Sequence, residues 1–312
     1  MKAVFDTKPS SSYDDNITQH YQIPRRYLKI AQQCKDDWIV LRRPRADGGN
    51  LAYFATAKVE GIEVDEGDPR FAYVRLTSFL PFDPPVSWRR NGRYAEQALR
   101  ELPQHEVGVY LRGRSVRALS DVDFLDLIVA GLGRTLGDGA AAAFGETLSS
   151  IELSSFKNDE LPETRQLRIG AVLTNRIIRE VGFRRNVCTA YDNRCSISRF
   201  KISDRAGAFE VQAAHIVPVS DGGPDVVQNG IAMSATFHWL FDRHLFSITD
   251  EYEVLFDDAH IPLAILDLFN GDNRRIHLPS DSYLRPHPKF LKKHREKYYN
   301  LKGGRVKNDR SP

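Results

Sequence analysis

The stretch "AAHIVPVSDGGPDVVQNGIAMSATFHWLFDRHLF", residues 213–246, decides how the chain is to be read. The text leading into it, "FEVQAAHIVPV", is rich in β-formers, and Pro218 stops it near its end. "SDGGPD" carries two glycines and predicts a loop. "SATFHWLFDRHLF" predicts a helix opened by Ser234 as its cap. His215 then falls on a strand, Asn229 in a loop, and His238 and Asp242 one helical turn apart on a shared face. An imidazole and a carboxylate converging there suit a divalent cation, with water and phosphate oxygens filling its remaining positions.

Thirteen residues separate His215 from Asn229, and eight separate Asn229 from His238. Together with the blocks "AAHIVP", "DGG", "NGIAM" and "FHWLFDRHLFSI", this spacing resembles the HNH nucleases of the ββα-metal fold, in the subgroup with "AHI.P", "NG" and "H..FD" blocks. The resemblance implies that His215 is a general base activating water against a phosphodiester. It also implies that Asn229 tethers the loop and helps fix the base, and that His238 binds the metal. Mg²⁺ is the expected ion, with Mn²⁺ or another divalent cation as the alternative. A histidine at its ordinary pKa of about 6.5 can take a proton from water near pH 7, and such base catalysis contributes about 10²–10⁴-fold.

The chain departs from many relatives at Ala214, where they carry a metal-ligating Asp or His. Either Asp242 supplies the missing ligand or fewer protein groups hold the metal. His244 lies off the face shared by His238 and Asp242 and reads as structural or phosphate-facing. "CTAYDNRC" offers a single cysteine pair, Cys188 and Cys195, whereas tetrahedral zinc needs four ligands. A structural zinc is therefore not expected, and both thiols are expected in the core. Arg194, Lys201 and Arg243 are candidates for phosphate contact.

Working outward, the text from Glu163 to the cysteines reads as one long Arg-rich helix or two, and residues 163–312 as the nuclease domain. The end, "RPHPKFLKKHREKYYNLKGGRVKNDR", is a basic tail suited to phosphate. Residues 136–162, with an alanine run between glycines, read as a linker. Before it, residues 1–135 read as a mixed β domain with a few helices. The first twenty or so residues are polar and expected to be loose. "YQIPRRYLKIAQQC" predicts a short helix after a proline. "DWIVLRR", "LAYFATAKVEGIEV", "FAYVRLTSFL" and "EVGVYLRG" predict strands, and "RYAEQALREL" and "SDVDFLDLIVAGLG" predict helices.

Strand order and the stretches "DDWIVLRRP", "YFATAKVEGI" and "RLTSFLPFDPPVSWRR" resemble the PUA-like superfamily, whose EVE, YTH and ASCH relatives read modified or unusual bases. With both resemblances the chain is similar to modification-dependent restriction endonucleases. The implied fold class is α+β: an N-terminal PUA-like mixed β-barrel, a helical linker and a C-terminal ββα-metal HNH domain. The implied reader candidates are Tyr21, Trp38, Tyr53 and Trp88 for stacking, with Asp83 or Asn50 reading a base edge. The implied substrate is double-stranded DNA carrying 5-hydroxymethyl- or 5-methylcytosine, cut by a homodimer. A sequence-specific HNH nuclease acting on plain DNA and a nucleic-acid-binding protein with a weakened nuclease stay open as alternatives.

Composition sets wider bounds. With 41% hydrophobic and 27% charged residues, the 312-residue chain reads as globular with about two domains. No apolar run is long enough for a membrane span, and the N-terminus lacks a secretory pattern. Three cysteines make no disulfide framework, so a reducing cytoplasm is expected. Lys and Arg total 44 against 41 acids, so any nucleic-acid surface must come from the distribution of charge and not its sum.

Overall fold

The computed structural model describes residues 1–8, 13–45, 48–133, 162–205, 207–256, 260–267 and 274–306. The expected linker, 136–162, lies outside them but for its last residue. The chain forms two compact units, Met1–Val181 and Gly182–Pro312.

The first unit is built on a six-stranded mixed sheet of β1 (Ala3–Asp6), β2 (His20–Pro24), β3 (Trp38–Arg42), β4 (Ala52–Val64), β5 (Phe71–Ser87) and a short strand at Val116–Ala118. Its order is β2-β5-β4-β3-β1 and then the short strand; β1 and β3 are parallel and the other pairs antiparallel. Three register shifts interrupt the pairing of β4 with β5, and such irregularities raise local twist, so the sheet curls into a half-barrel. Pro81, Pro84 and Pro85 are tolerated within β5 because β2 pairs only with Phe71–Arg75, which leaves the later residues without a ladder partner on that side.

Both faces of the central strands are covered. Phe5, Ile39 and Leu41 face one core, with Ala31 of α1 (Leu28–Gln33). Val4 and Val40 face the other, with Phe124, Leu127 and Ile128 of α2 (Asp121–Leu132). That is why "WIVL" is a continuous apolar run where a one-sided strand would alternate. Ser120 caps α2 by accepting from the backbone N–H of Asp123 at 3.1 Å.

Two expectations fail here. The N-terminal residues Ala3–Asp6 are not loose; they form fully buried β1, between β3 and Val116–Ala118. "EVGVYLRG" is not a strand but belongs to a helix, Gln104–Leu111, that follows Pro103. Its apolar alternation mimicked a half-buried strand, yet of that helix only Val107 is buried and no neighbouring strand offers a ladder. "RYAEQALREL" yields only a single turn, Gln97–Arg100.

A buried ion network crosses this unit. Arg42 donates through Nε and Nη2 to both oxygens of Asp6 at 2.8 Å, Arg117 bridges Asp6 and Glu96, and the Tyr53 hydroxyl donates to Glu96 at 2.6 Å. Burial first, and then the Glu96 charge, raise the Tyr53 hydroxyl well above the ordinary tyrosine range, so it remains a donor. Such a network fixes one arrangement of strands more than it adds net stability.

In the second unit β6 (Gln212–His215) and β7 (Gly230–Met233) form an antiparallel hairpin, followed by the helix Ala235–Asp242 and a second hairpin, Phe246–Ile248 with Val254–Phe256. The 29-residue helix Pro162–Ala190 contains the boundary between units; its Phe183, Val187 and Cys188 join the core of the second. Much of the basic tail forms a helix, Pro288–Val306, whose Leu291, His294 and Tyr298 form a buried stripe while Lys289, Lys292 and Lys293 stay exposed. Residues 307–312 lie outside the described residues. No described helix is long and apolar enough to cross a membrane.

Candidate active site

The chemistry-bearing residues of the second unit sit on the β6–β7 hairpin, on the loop that joins its strands and on the helix that follows. His215 ends β6, opposite Gly230 in the ladder. Its Nε2 lies 2.8 Å from Asp225 Oδ1. A carboxylate oxygen only accepts, so Nε2 carries the proton and Nδ1 presents the lone pair. Phe183 stacks on the ring at 3.8 Å and 10°. A β-carbon on Gly230 would stand 2.4 Å from Val187 Cγ2 and 2.9 Å from Phe183 Cζ, so this glycine lets the long helix lie close enough for the stack.

Asn229 closes the loop. It is fully buried in a 3₁₀ turn, Val227–Asn229. Its Oδ1 accepts from the Val217 N–H at 3.0 Å, and its Nδ2 donates to the carbonyls of Val217 at 3.0 Å and Pro224 at 2.9 Å. The two loop glycines have separate reasons. Gly222 adopts φ +77°, which side chains disfavour, and a β-carbon on Gly223 would fall 1.8 Å from the Val217 carbonyl.

On the helix Ala235–Asp242, Ser234 takes the N-cap position without a side-chain capping bond. Gln212 Oε1 accepts from His238 Nδ1 at 2.8 Å, which leaves Nε2 with its lone pair, 3.4 Å from Asp242 Oδ2. Burial holds the His238 imidazole below the ordinary histidine range; Asp242 opposes this, while Arg184 and protonated His215 add to it. A neutral imidazole is the form that ligates a metal. Ala214 is fully buried, and the strand's contact with His238 comes from Gln212, two residues earlier on the same face. Among the described residues no three His, Cys, Asp or Glu side chains gather as a metal site. His238 Nε2 and the half-exposed Asp242 fit an ion that takes most of its ligands from water and phosphate.

His244 has φ +51° and turns into the unit, its Nδ1 3.0 Å from His294 Nε2. His294 also contacts the Phe241 carbonyl at 3.1 Å and the Ser247 hydroxyl at 2.9 Å, and stacks on Phe241 at 3.8 Å. Lys297 of the same helix pairs with Asp221 in the active loop. Burial first, then the charges of His244, Lys297 and Arg295, push His294 down to about 3, against only a backbone hydrogen bond. The folded unit therefore refuses a proton that the unfolded chain takes up below about 6.5. Stability should fall as pH drops from about 6.5 toward about 3, with His238 and His244 acting in the same direction. Urea unfolding of wild type and His294→Gln across that window should show a shallower pH slope in the variant; equal slopes would remove His294 from the effect.

The remaining candidates are scattered. Tyr21 and Tyr53 are core residues, with hydroxyls committed to the Asp6 carbonyl and to Glu96. Neither opens to solvent, because alternation along β2 and β4 turns both rings inward. Trp38 and Trp88 are half-buried against the core that holds Tyr53; Trp88 meets Tyr94 edge-on at 5.0 Å, and Arg89 lies over Tyr94. Asp83 is exposed on β5, and Asn50 accepts from the Ala52 N–H. Arg194 and Lys201 both pair with Asp192, while Arg243 stacks on Trp239. Cys188 and Cys195 pack in the core. Sequence reasoning missed Asp225, Gln212 and Phe183. Asp225 had a trace, an acid closing "SDGGPD"; the other two had none.

Residues 195–249 match the family model HNH_2, HNH endonuclease, so the second unit carries an HNH endonuclease domain. HNH nucleases use a divalent metal ion. No curated protein matches the chain. Among solved structures it is similar to a "Modification dependent TagI restriction endonuclease", at 15% identity and a TM-score of 0.30, covering 86% of this chain and 64% of that one. It is also similar to the "Type IV phosphorothioation-dependent restriction endonuclease ScoMcrA", at 12% identity and a TM-score of 0.22, covering 94% and 57%. Likeness at that level does not define a common fold, and the chain spans less than two thirds of either.

Proposed function

We propose that the chain is a divalent-metal-dependent DNA endonuclease whose first unit, a PUA-like domain, reads a modified cytosine and whose HNH domain cuts a phosphodiester nearby. What carries the reading is the constellation in the second unit: a histidine with its Nε2 proton held by Asp225, on a loop clamped by Asn229, with His238 and Asp242 on the helix that follows. His215 Nδ1 takes the proton of the attacking water, and Asp225 holds the ring's tautomer and steadies the imidazolium that forms. Phe183 fixes the ring plane. Asn229 holds the loop in register and touches no substrate. His238 and Asp242 would hold Mg²⁺ or Mn²⁺, which when bound neutralises charge at the phosphate and stabilises the leaving oxygen. Cutting both strands with one site per chain calls for a homodimer or transient pairing. Ala214 favours a second reading, a DNA-binding protein with a weakened nuclease, which plasmid nicking with Mg²⁺ or Mn²⁺ would exclude.

For the reader the retained candidates are Trp88, Trp38 and Asp83. The Trp88–Tyr94 pair, with exposed Arg89 over Tyr94, has the aromatic faces and positive charge that a flipped base requires. Digestion of phage DNAs bearing cytosine, 5-methylcytosine, 5-hydroxymethylcytosine and its glucosylated form, with Mg²⁺ or with chelator, tests the whole reading. Cutting confined to modified DNA and abolished by chelator is expected; equal cutting of plain DNA would point to an ordinary HNH nuclease. Trp88→Ala should bind modified duplex no better than plain duplex. A preference that survives the change removes Trp88 from the reader.

A further inference from the structure

We infer that Trp239 and Arg243 form a nucleotide platform beside the metal-holding pair, on which a base of the strand being cut stacks while the guanidinium takes a neighbouring phosphate. This rests on the nuclease reading above. The helix Ala235–Asp242 buries Phe237, Leu240 and Phe241. One step around from the stripe of His238 and Asp242 lies a second i, i+4 stripe, Trp239 and Arg243. Trp239 is 51% exposed. So large an apolar side chain, held open beside the reactive groups, is informative where a scattered surface leucine would not be.

Its partner completes the argument. The Arg243 guanidinium carbon lies 4.0 Å over the indole ring, and Nη1 reaches back to the Trp239 carbonyl at 3.4 Å. The stack holds both groups in one orientation before any substrate arrives. No described carboxylate forms an ion pair with Arg243, whereas Arg194 and Lys201 share Asp192. The pair thus offers one free aromatic face and unneutralised N–H donors, the two elements that bind a nucleotide by stacking and by phosphate contact.

The test is plasmid nicking and DNA binding by the full chain. Trp239→Ala should raise KM about tenfold, the usual worth of one stacked base, with kcat within a few-fold. Trp239→Phe should recover most of the loss, and it guards against a misfolded alanine variant. Arg243→Ala should weaken binding to all sequences and reduce the salt slope by about one. Duplex DNA should quench tryptophan fluorescence in wild type more than in Trp239→Phe, a readout that needs no cleavage. Unchanged KM and unchanged quenching, or loss of self-association without loss of DNA affinity, would overturn the inference. If wild type nicks no DNA with either metal, the nuclease reading fails, while the quenching comparison still decides the platform.

Discussion

Replacing His215 with alanine should lower the rate of metal-dependent DNA nicking by about 10³-fold, with KM within a few-fold of wild type. The change removes an imidazole whose one nitrogen carries a fixed proton while no described group bonds the other. Its Nε2 is bound to Asp225 at 2.8 Å, and no described group bonds Nδ1. His238 cannot substitute, because Gln212 occupies its Nδ1 and Asp242 faces its Nε2. The fold should survive, since the side chain is 21% exposed and its main contact is a stack on Phe183. Asp225→Ala should fall between the two, and Asp225→Asn should recover part of the loss, because an amide oxygen still accepts from Nε2. Single-turnover nicking with saturating Mg²⁺ reads all of these. A His215→Ala chain that retains a tenth or more of the wild-type rate would take His215 out of the chemistry.

Replacing Asn229 with alanine should destabilise the second unit by about 3–5 kcal/mol, a large share of the roughly 5–15 kcal/mol typical of a domain. The side chain is completely buried and saturates three backbone groups: the N–H and carbonyl of Val217 and the carbonyl of Pro224. Truncation leaves one donor and two acceptors in a loop where Gly223 already approaches the Val217 carbonyl too closely to admit a side chain. Each orphaned buried group costs about 1–3 kcal/mol, and water entering the space offsets part of that. Asn229→Asp should be at least as harmful, because a carboxylate can accept from Val217 but cannot donate to two carbonyl oxygens. Thermal unfolding of the full chain should show the transition of the second unit lowered by roughly 10–15 °C in either variant. An Asp variant as stable as wild type would refute the clamp, whatever its activity.

The two units differed in how much of them the sequence disclosed. In the HNH unit the text was locally explicit. Pro218, Gly222, Gly223 and Ser234 each mark a backbone event, and His215, Asn229 and His238 stand at intervals that a hairpin and one helix can close. In the first unit the strands Ala52–Val64 and Phe71–Ser87 were legible from their β-branched and aromatic content. "AVFD" was not, because four residues without alternation look like any apolar fragment until two neighbours pair with them. The aromatics were the least legible. Tyr21, Tyr53 and Trp88 have similar local texts, and only the curl of the sheet decides that two tyrosines are core and that Trp88 keeps an open edge.

The sequence by itself determined the secondary elements around residues 213–246 and the residue types able to accept a proton and hold a cation, because turn chemistry and helical period act over a few residues. Only the tertiary structure decided that Asp225 meets His215, that Gln212 orients His238, and that Phe183, some thirty residues upstream, stacks on the His215 ring. Those contacts depend on how a long helix, a loop and a hairpin pack. Packing answers to the sum of distant side-chain volumes and to the absence of a single β-carbon at Gly230, quantities that no short window of sequence contains.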